Sequence, residues 1–254
     1  MIGRNYARTI RNRIRLVLLN AREPHKERFE CVVCGYEGPF IDMTRPTGIR
    51  RHAMCPACSS LERHRLQFLV IDKVLKSRNA AQLRMLHFAP EPCFRALFSS
   101  RFGRYETADL EMNDVDHKAD LLKLPFADAS YDFVFASHVL EHIRDDKQAI
   151  SEIRRILRPD GVAILPVPIV AYSTIEYPTP SPGEGYHVRA PGLDYFERYE
   201  RYFARVDRIS SETVPNKYQP FIYEDRSIYP TPACPWRPSM TGDRHLDIVP
   251  VCYV

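Results

Sequence analysis

The segment 84–167 most limits the folds open to this chain, because short apolar runs alternate there with runs of helical periodicity. The predicted strands are residues 84–88, 105–109, a short run ending at 118–120, 131–136 and 162–167. The predicted helices are residues 91–98 and a second one that Asp145 caps and Pro159-Asp-Gly161 ends. Strands that alternate with helices form a parallel sheet covered on both faces, so the predicted fold class is α/β.

Polar residues follow the carboxyl ends of these strands, which is the edge where open parallel sheets bind ligands. Glu91 follows the first strand, Asp109 ends the second, and Ser137-His138 follow the fourth. An acidic residue at the end of the second strand commonly binds the two hydroxyls of a ribose. Asp109 is therefore predicted to bind a ribose, with an Asp in a solvated turn as the alternative.

Two stretches of this segment carry a family resemblance, Asp132-Phe-Val-Phe-Ala-Ser-His-Val-Leu-Glu-His142 and Ile156-Leu-Arg-Pro-Asp-Gly161. They resemble class I S-adenosylmethionine-dependent methyltransferases. The family's Gly-x-Gly-x-Gly turn is replaced by His87-Phe-Ala-Pro-Glu-Pro-Cys93. The chain is similar to a bacterial subgroup in which an Ala-Pro-Glu turn follows a four-cysteine zinc knuckle pair and a Ser-Leu-Glu-Arg-His-Arg segment. This resemblance covers about residues 31–192 and implies a Rossmann-like methyltransferase sheet, bound S-adenosylmethionine and methyl transfer.

The resemblance also implies a cofactor site at the strand ends. Its members would be Phe88, Ala89, Pro90, Glu91, Asp109, Leu110, Asp120, Leu121, Ser137 and His138. Asp120 would accept a hydrogen bond from the adenine amino group. Glu91 would accept one from the ammonium of the methionine end, or would cap the helix that follows it. Because these glycines are missing, two alternatives stay open: the protein binds the cofactor without transferring its methyl group, or it does not bind the cofactor.

Three histidines are candidates for a general base, because an imidazole titrates near neutrality. They are His138, His142 and His187, and each is equally open to a neutral structural role. The run from His138 to His142 also matches the H-x-x-E-H pattern of a class of zinc proteases, which requires a helix. Here the run directly follows a buried strand, so the sequence predicts no metal held by His138 and His142 together.

Four cysteines have the spacing of metal ligands, in two C-x-x-C pairs separated by 20 residues: Cys31, Cys34, Cys55 and Cys58. Each pair can direct two thiolates at one ion, and two pairs complete a tetrahedron. The sequence predicts a structural zinc; iron also suits four thiolates, and the alternative is four unrelated buried cysteines. Metal-ligand spacing and seven cysteines in all favour a reduced, cytoplasmic protein.

Three regions are predicted along the chain: a basic N-terminal helix at 1–28, a zinc-ribbon-like module at 29–60, and the methyltransferase domain at 61–254 with a lid at about 168–192. The capping-box spacing of Ser59-Ser-Leu-Glu62 predicts a helix directly after the last cysteine. Arg63, His64 and Arg65 then form either a solvated helix face or a contact to an anion or substrate. The segment 205–254 is expected to supply two antiparallel strands, near Val206 and at 246–253.

Composition bears on the partners more than on the fold. The formal net charge of +4 is a weak argument for a polyanionic partner, and no apolar run reaches the roughly 18 residues that span a membrane. The lid, rich in Tyr and Pro, favours an enclosed small-molecule acceptor, such as a sugar or a natural-product intermediate. The alternative is an RNA methyltransferase whose zinc module and basic N-terminal helix bind phosphates; nucleic acid is not favoured. The oligomeric state is not predicted.

Overall fold

The computed structural model describes residues 16–45 and 48–254. Helix α1 covers residues 16–22, so most of the basic helix predicted for residues 1–28 lies outside the described residues. No helix in the described ranges is both long enough and apolar enough to cross a membrane.

The N-terminal part of the described chain consists of two hairpins. Its strands are β1 (Phe29–Glu30), β2 (Glu37–Gly38), β3 (Ile41–Arg45) and β4 (Gly48–Met54). β1 pairs antiparallel with β2, and β3 pairs antiparallel with β4. The two C-x-x-C pairs lie at the end of β1 and the end of β4, so the hairpins bring the four cysteines together.

Seven strands form the central sheet. In chain order they are β5 (Arg84–Phe88), β6 (Arg104–Asp109), β7 (His117–Lys118), β8 (Tyr131–Ala136), β9 (Leu157–Ile164), β12 (Arg205–Ser210) and β15 (Ile248–Tyr253). Their order across the sheet is β12-β15-β9-β8-β5-β6-β7, and the five strands from β9 to β7 are mutually parallel. The predicted α/β class and its parallel Rossmann-like sheet are therefore confirmed.

The helices cover both faces of this sheet, as the sequence predicts. α2 (Glu62–Leu75) and α3 (Pro92–Arg101) pack on one face through Leu66, Ile71, Phe94 and Phe98. α4 (Asp146–Ile156) packs on the other, together with the 3-10 helix Leu193–Arg201. Asp145 caps α4, because its side chain accepts a hydrogen bond from the Gln148 N–H at 3.1 Å.

Two remaining pairs of strands lie outside the central sheet. β10 (Ile175–Ser181) and β11 (His187–Ala190) form an antiparallel hairpin within the predicted lid. β13 (Ile222–Tyr223) and β14 (Arg244–His245) join the second N-terminal hairpin in a sheet of order β14-β13-β4-β3. The predicted zinc module therefore shares a sheet with the C-terminal segment.

The structure differs from the sequence prediction at several element ends. The N-terminus of α2 has no Ser59–Glu62 capping box: instead the Leu61 N–H donates to Nδ1 of His64 at 3.1 Å. α4 ends at Ile156, before the Pro-Asp-Gly turn, because β9 already begins at Leu157. Of the two final strands, β15 runs opposite to the five parallel strands, whereas β12 pairs antiparallel with β15 and therefore runs in the same direction as those five.

Candidate active site

A cavity of about 590 Å³ opens at the carboxyl ends of β5, β6, β7 and β8. Seven of the ten predicted cofactor residues line it: Phe88, Ala89, Asp109, Leu110, Asp120, Leu121 and His138. The other three, Pro90, Glu91 and Ser137, do not. Its size lies within the roughly 300–1,000 Å³ of small-molecule sites. We call it the first cavity.

Asp109 presents its carboxylate at the mouth of the first cavity. Its Oδ1 accepts hydrogen bonds from the backbone N–H groups of Glu111 and Met112, both at 2.7 Å. These two bonds hold the carboxylate in place and leave Oδ2 available to a ligand. A fixed carboxylate oxygen at this position suits a hydroxyl pair such as that of a ribose.

The turn that lacks glycine still adopts a conformation that glycine favours. Ala89 has φ +45°, in the left-handed region, and its N–H donates to the Ala108 carbonyl at 3.0 Å. That conformation costs a non-glycine residue roughly 1–2 kcal/mol. His138, after β8, is likewise left-handed at φ +55°. Both strained residues line the first cavity, and backbone strain of this kind tends to occur at functional sites.

Glu91 lies beside this turn in a polar cluster. Its Oε2 lies 2.8 Å from Nε2 of His87, and its Oε1 lies 3.8 Å from Nε2 of His64. It occupies the N-cap position of α3, but its side chain makes no capping hydrogen bond. Burial by itself raises the pKa of Glu91, yet the His87 hydrogen bond and the nearby His87 and His64 rings outweigh burial and lower that pKa. Glu91 is therefore an anion whose charge the helix cap does not use.

A second cavity of about 390 Å³ adjoins the first, and His138, His142 and Gly185 line both. Its remaining wall is strongly charged and comes from β4, α2, the lid and the C-terminal segment. Six of those charged or titratable residues are Arg50, Arg63, Glu184, His187, Arg237 and Asp247. Asp247 and Glu184 are almost fully buried, and Oδ2 of Asp247 and both Glu184 oxygens have no hydrogen-bond partner among the described residues.

The three candidate histidines meet at the junction of the two cavities. The His142 and His187 rings are edge to face with centroids 4.7 Å apart, and Nδ1 of His138 lies 3.5 Å from Oε1 of Glu141. Burial lowers the pKa of His138 well below its usual range and lowers that of His187 to about 3. Burial also raises the pKa of Glu141 to about 8. The three imidazoles are therefore neutral near pH 7, and burial makes each a weaker base than a histidine in water.

The cysteine cluster has the dimensions of a tetrahedral zinc site. The Sγ atoms of Cys31 and Cys58 are 3.6 Å apart, and those of Cys34 and Cys55 are 3.7 Å apart. Zn–S bonds of about 2.3 Å in a tetrahedron imply sulfur separations of about 3.8 Å. These two separations, with all four Sγ atoms within 4.8 Å of one another, are compatible with zinc, and four thiolates would leave no coordination position for a substrate.

A second group of possible metal ligands lies at the histidine junction. Glu141, His142 and His187 each offer one ligand atom, and those atoms lie within 4.8 Å of one another. His138 is not part of this group. The charges of Arg63 and Arg237 reach this junction and favour the unprotonated forms of His138 and His187, respectively. The same charges disfavour a divalent cation, so the prediction of no metal held by His138 and His142 together remains.

Sequence reasoning missed most of the second cavity. Arg50, Glu224, Arg226 and Arg237 come from β4 and from a proline-rich segment without periodicity, and nothing in their spacing connects them. The sequence did indicate four lining residues: His138, His142 and His187 as candidate bases, and Arg63 as a possible anion contact. In the lid, the exposed Tyr186 lines the first cavity and has a left-handed backbone with φ +67°. Its neighbour Gly185 also lines this cavity and is left-handed, a conformation that glycine adopts without strain.

Comparison with known proteins finds similarity in the central part of the chain. Residues 85–165 match the model of the methyltransferase domain. The demethylmenaquinone methyltransferase of Staphylococcus epidermidis is 36% identical over 62 residues, which are 24% of this chain and 25% of that protein. The 27-O-demethylrifamycin SV methyltransferase of Amycolatopsis mediterranei is 41% identical over 54 residues, 21% of this chain and 20% of that protein.

Among solved structures, an S-adenosylmethionine-dependent methyltransferase from Mesorhizobium loti is similar with a TM-score of 0.48 and 14% identity, covering 74% of this chain and 97% of that one. The alignments with the curated relatives span about a fifth to a quarter of each relative's length. The domain match and these relatives support the enzyme class expected from the sequence, an S-adenosylmethionine-dependent methyltransferase, with residues 85–165 as its methyltransferase domain.

Proposed function

We propose that this protein transfers the methyl group of S-adenosylmethionine to a small polar acceptor, such as a sugar or a natural-product intermediate. The observation that carries the proposal is the pair of cavities that meet at His138, His142 and Gly185. One cavity has the residues of a nucleoside site, and the other is small, charged and walled by the lid. A donor and an acceptor bound in them would meet at the histidine junction.

The first cavity would hold the cofactor, with Asp109 at the ribose, Asp120 at the adenine amino group and Glu91 at the ammonium of the methionine end. Asp120 is exposed, and its Oδ1 accepts the Leu122 N–H at 2.9 Å, which fixes the carboxylate. The cofactor supplies a methyl carbon that its sulfonium already activates. What the chain must add is orientation, which can lower the barrier by roughly 7–11 kcal/mol.

The second cavity would hold the acceptor. Its wall presents both carboxylate acceptors and guanidinium donors, a mixture that suits a molecule rich in hydroxyl groups, since a hydroxyl both donates and accepts. The two curated relatives act, by their names, on small molecules, demethylmenaquinone and a demethylrifamycin. The volume of about 390 Å³ is that of a small-molecule site, which favours such an acceptor over RNA.

His138 is the histidine best placed to take up a proton from the acceptor. It lines both cavities, and its buried Nε2 has no hydrogen-bond partner in the described part of the chain. Glu141, which its raised pKa of about 8 keeps mostly protonated near pH 7, would accept from the Nδ1–H of His138 through Oε1, 3.5 Å away, and leave the Nε2 lone pair facing the cavities. Proton acceptance of this kind contributes typically 10²–10⁴-fold to a rate. His142 and His187 would line the acceptor site beside it.

Zinc at the four cysteines would stabilise the wall of the acceptor cavity and take no part in the chemistry. Four thiolates fill a tetrahedral ion, so no position remains for an acceptor oxygen. The module's own buried core is small, with Phe29, Tyr36 and Phe40 as its larger members. Metal binding would therefore provide much of its folding free energy.

Calorimetric titration with S-adenosylhomocysteine tests the cofactor half of the proposal. The wild-type protein should bind it, and Asp109→Asn should weaken binding about 10-fold or more, because the amide cannot accept from both ribose hydroxyls while Oδ1 can still hold the turn. Asp160→Asn is the matched control, since Asp160 is exposed in the Pro-Asp-Gly segment of β9 and does not line the first cavity. Absence of binding by the wild-type protein would favour the non-methylating alternative.

A further inference from the structure

The three basic residues that begin α2 have three different environments. The Arg65 guanidinium is fully buried and donates to the carbonyl oxygens of Ala53, Ser60, Tyr218 and Gln219 at 2.9–3.3 Å. His64 accepts the Leu61 N–H and so completes the helix start. Both are explained by the fold. Arg63 has neither a hydrogen bond nor an ion pair within 4 Å in residues 16–45 and 48–254, and its Nε is buried.

An unpaired buried guanidinium nitrogen is costly, because its lost hydration is not replaced. The other arginines of the second cavity are compensated. Arg50 donates to Glu62 at 2.5 Å, and Arg226 donates to Glu224 at 3.0 Å and to the Ile169 carbonyl at 2.7 Å. Nε of Arg237 also lacks a hydrogen bond in the described part of the chain, but Arg237 forms ion pairs with Glu224 at 3.6 Å and Glu184 at 3.8 Å. Arg63 is thus the arginine of this wall whose charge the protein leaves uncompensated.

The carboxylates around Arg63 do not neutralise it. Glu91, Glu62 and Asp247 favour its charged form, yet none reaches it within 4 Å, and burial still lowers the Arg63 pKa. Glu62 is already bonded to Arg50, and Glu91 to His87. Arg63 also lies close enough to His138 to lower the pKa of that histidine. Arg63 lines the second cavity together with His138 and His142, the histidines at which the two cavities meet.

We propose that Arg63 is the anion-binding residue of this site, and that it holds a carboxylate or phosphate group carried by the bound molecules. This inference rests on the proposed function, which supplies two sources for such a group: the methionine carboxylate of the cofactor, or an anionic substituent of the acceptor. A planar guanidinium with several N–H donors binds either group bidentately. The position of Arg63 in the first turn of a 14-residue helix favours an anion further.

The test compares Arg63→Gln and Arg63→Lys with Arg51→Gln. Arg51 lies next to Arg50 on β4 but is half exposed and pairs with the exposed Asp243, so it makes the same charge change outside both cavities. Because Arg63 is unpaired, Arg63→Gln should fold with a melting temperature equal to or above that of the wild-type protein. Arg63→Lys keeps the charge but loses the planar guanidinium that can bind an anion through two N–H groups. Its affinities in both assays below should therefore lie between those of the wild-type protein and Arg63→Gln.

The first assay is calorimetry with S-adenosylhomocysteine and with 5′-methylthioadenosine, which lacks the amino-acid end. If the anion is the methionine carboxylate, Arg63→Gln weakens the binding of S-adenosylhomocysteine by about 10-fold or more and leaves the affinity for methylthioadenosine unchanged. The second assay measures binding of glucose, glucuronate and glucose 6-phosphate to the S-adenosylhomocysteine complex. If the anion belongs to the acceptor, the charged sugars bind more tightly than glucose, and Arg63→Gln removes that preference.

Either loss supports the inference and identifies the source of the anion. The inference is overturned if Arg63→Gln matches wild type in both assays, or if Arg51→Gln causes the same losses. Failure of the wild-type protein to bind either nucleoside would refute the proposed function instead, and the sugar comparison would then be made without S-adenosylhomocysteine.

Discussion

Replacing Glu91 by Gln separates the binding role of this carboxylate from a structural one. The amide has the same shape, and its oxygen can still accept from Nε2 of His87, which lies 2.8 Å from Oε2 in the wild-type protein. No capping bond is lost, because the Glu91 side chain makes none. The free energy of unfolding should therefore change by no more than about 1 kcal/mol, the value of one neutral hydrogen bond.

The effect on the cofactor should be larger than the effect on stability. Hydrogen bonds to a charged partner are worth about 1.5–3 kcal/mol and neutral ones about 0.5–1.5 kcal/mol. The Glu91 side chain is only 13% exposed, so water screens little of this difference. Losing the negative charge opposite the ligand ammonium should thus cost about 1.4 kcal/mol, which is about tenfold in the dissociation constant.

Calorimetry with two ligands measures this role directly. S-adenosylhomocysteine carries the ammonium and 5′-methylthioadenosine does not, so Glu91→Gln should weaken the first alone. Asp109→Asn should weaken both, because both carry the ribose. Thermal unfolding of each variant provides the control for stability. Equal losses for the two ligands in Glu91→Gln, or no loss for either, would show that the methionine end does not lie at Glu91.

Three further predictions concern the metal and the buried acid. Elemental analysis should find one zinc per chain, and Cys55→Ser should remove it and lower the melting temperature, whereas Cys93→Ser should keep it. His142→Ala and His187→Ala should both retain that single zinc, and a second equivalent lost with either histidine would contradict the reasoning. Because burial raises the pKa of Glu141 from 4.5 to about 8, the unfolded chain releases this proton first as the pH rises. Wild-type stability should then fall by about 4 kcal/mol relative to Glu141→Gln between pH 4.5 and pH 8, as measured by urea unfolding.

The central sheet could be predicted because its signals are local. Residues 84–88 and 131–136 are apolar runs of strand length, and the structure has strands with those same bounds. The Asp145 cap of α4 was equally readable, since a helix start needs one acceptor in front of an apolar repeat. The position of the predicted cofactor site followed from the sheet, because the carboxyl ends of parallel strands lie at one edge whatever path the connecting segments take.

The lid was harder to predict because its strands break the usual composition. β10 contains Pro178 and Pro180, which cannot donate in a ladder, so the run reads as a loop. The strand tolerates these prolines because β10 pairs with β11 alone. On such an edge strand, every second backbone N–H points away from the partner strand and needs no acceptor there. The start of α2 was misassigned for a different reason. Glu62 has capping-box spacing, but its carboxylate accepts a hydrogen bond from Arg50 instead. That contact depends on tertiary structure, so the local spacing does not reveal it.

The second cavity could not be derived, since no periodicity relates its parts. Arg50 and Asp247 share a wall although almost 200 residues separate them in the chain. Arg63 illustrates the limit: the spacing of Arg63, His64 and Arg65 does not reveal which of the three has no partner. Two of the four carbonyl groups that accept hydrogen bonds from Arg65 belong to Tyr218 and Gln219, which are 153 and 154 residues away in the chain.

The sheet shared by β3, β4, β13 and β14 has a consequence for the order in which the molecule is assembled. Its contacts join the first quarter of the chain to the last, as the ion pair between Arg51 and Asp243 shows. Contacts of such long sequence separation form late, because the loop they close is entropically costly until other structure has shortened it. The first cavity is built mainly from neighbouring segments and can form early. The second cavity is completed only when the C-terminal strands reach the β3–β4 hairpin, so a newly made chain would form its proposed cofactor site before its proposed acceptor site.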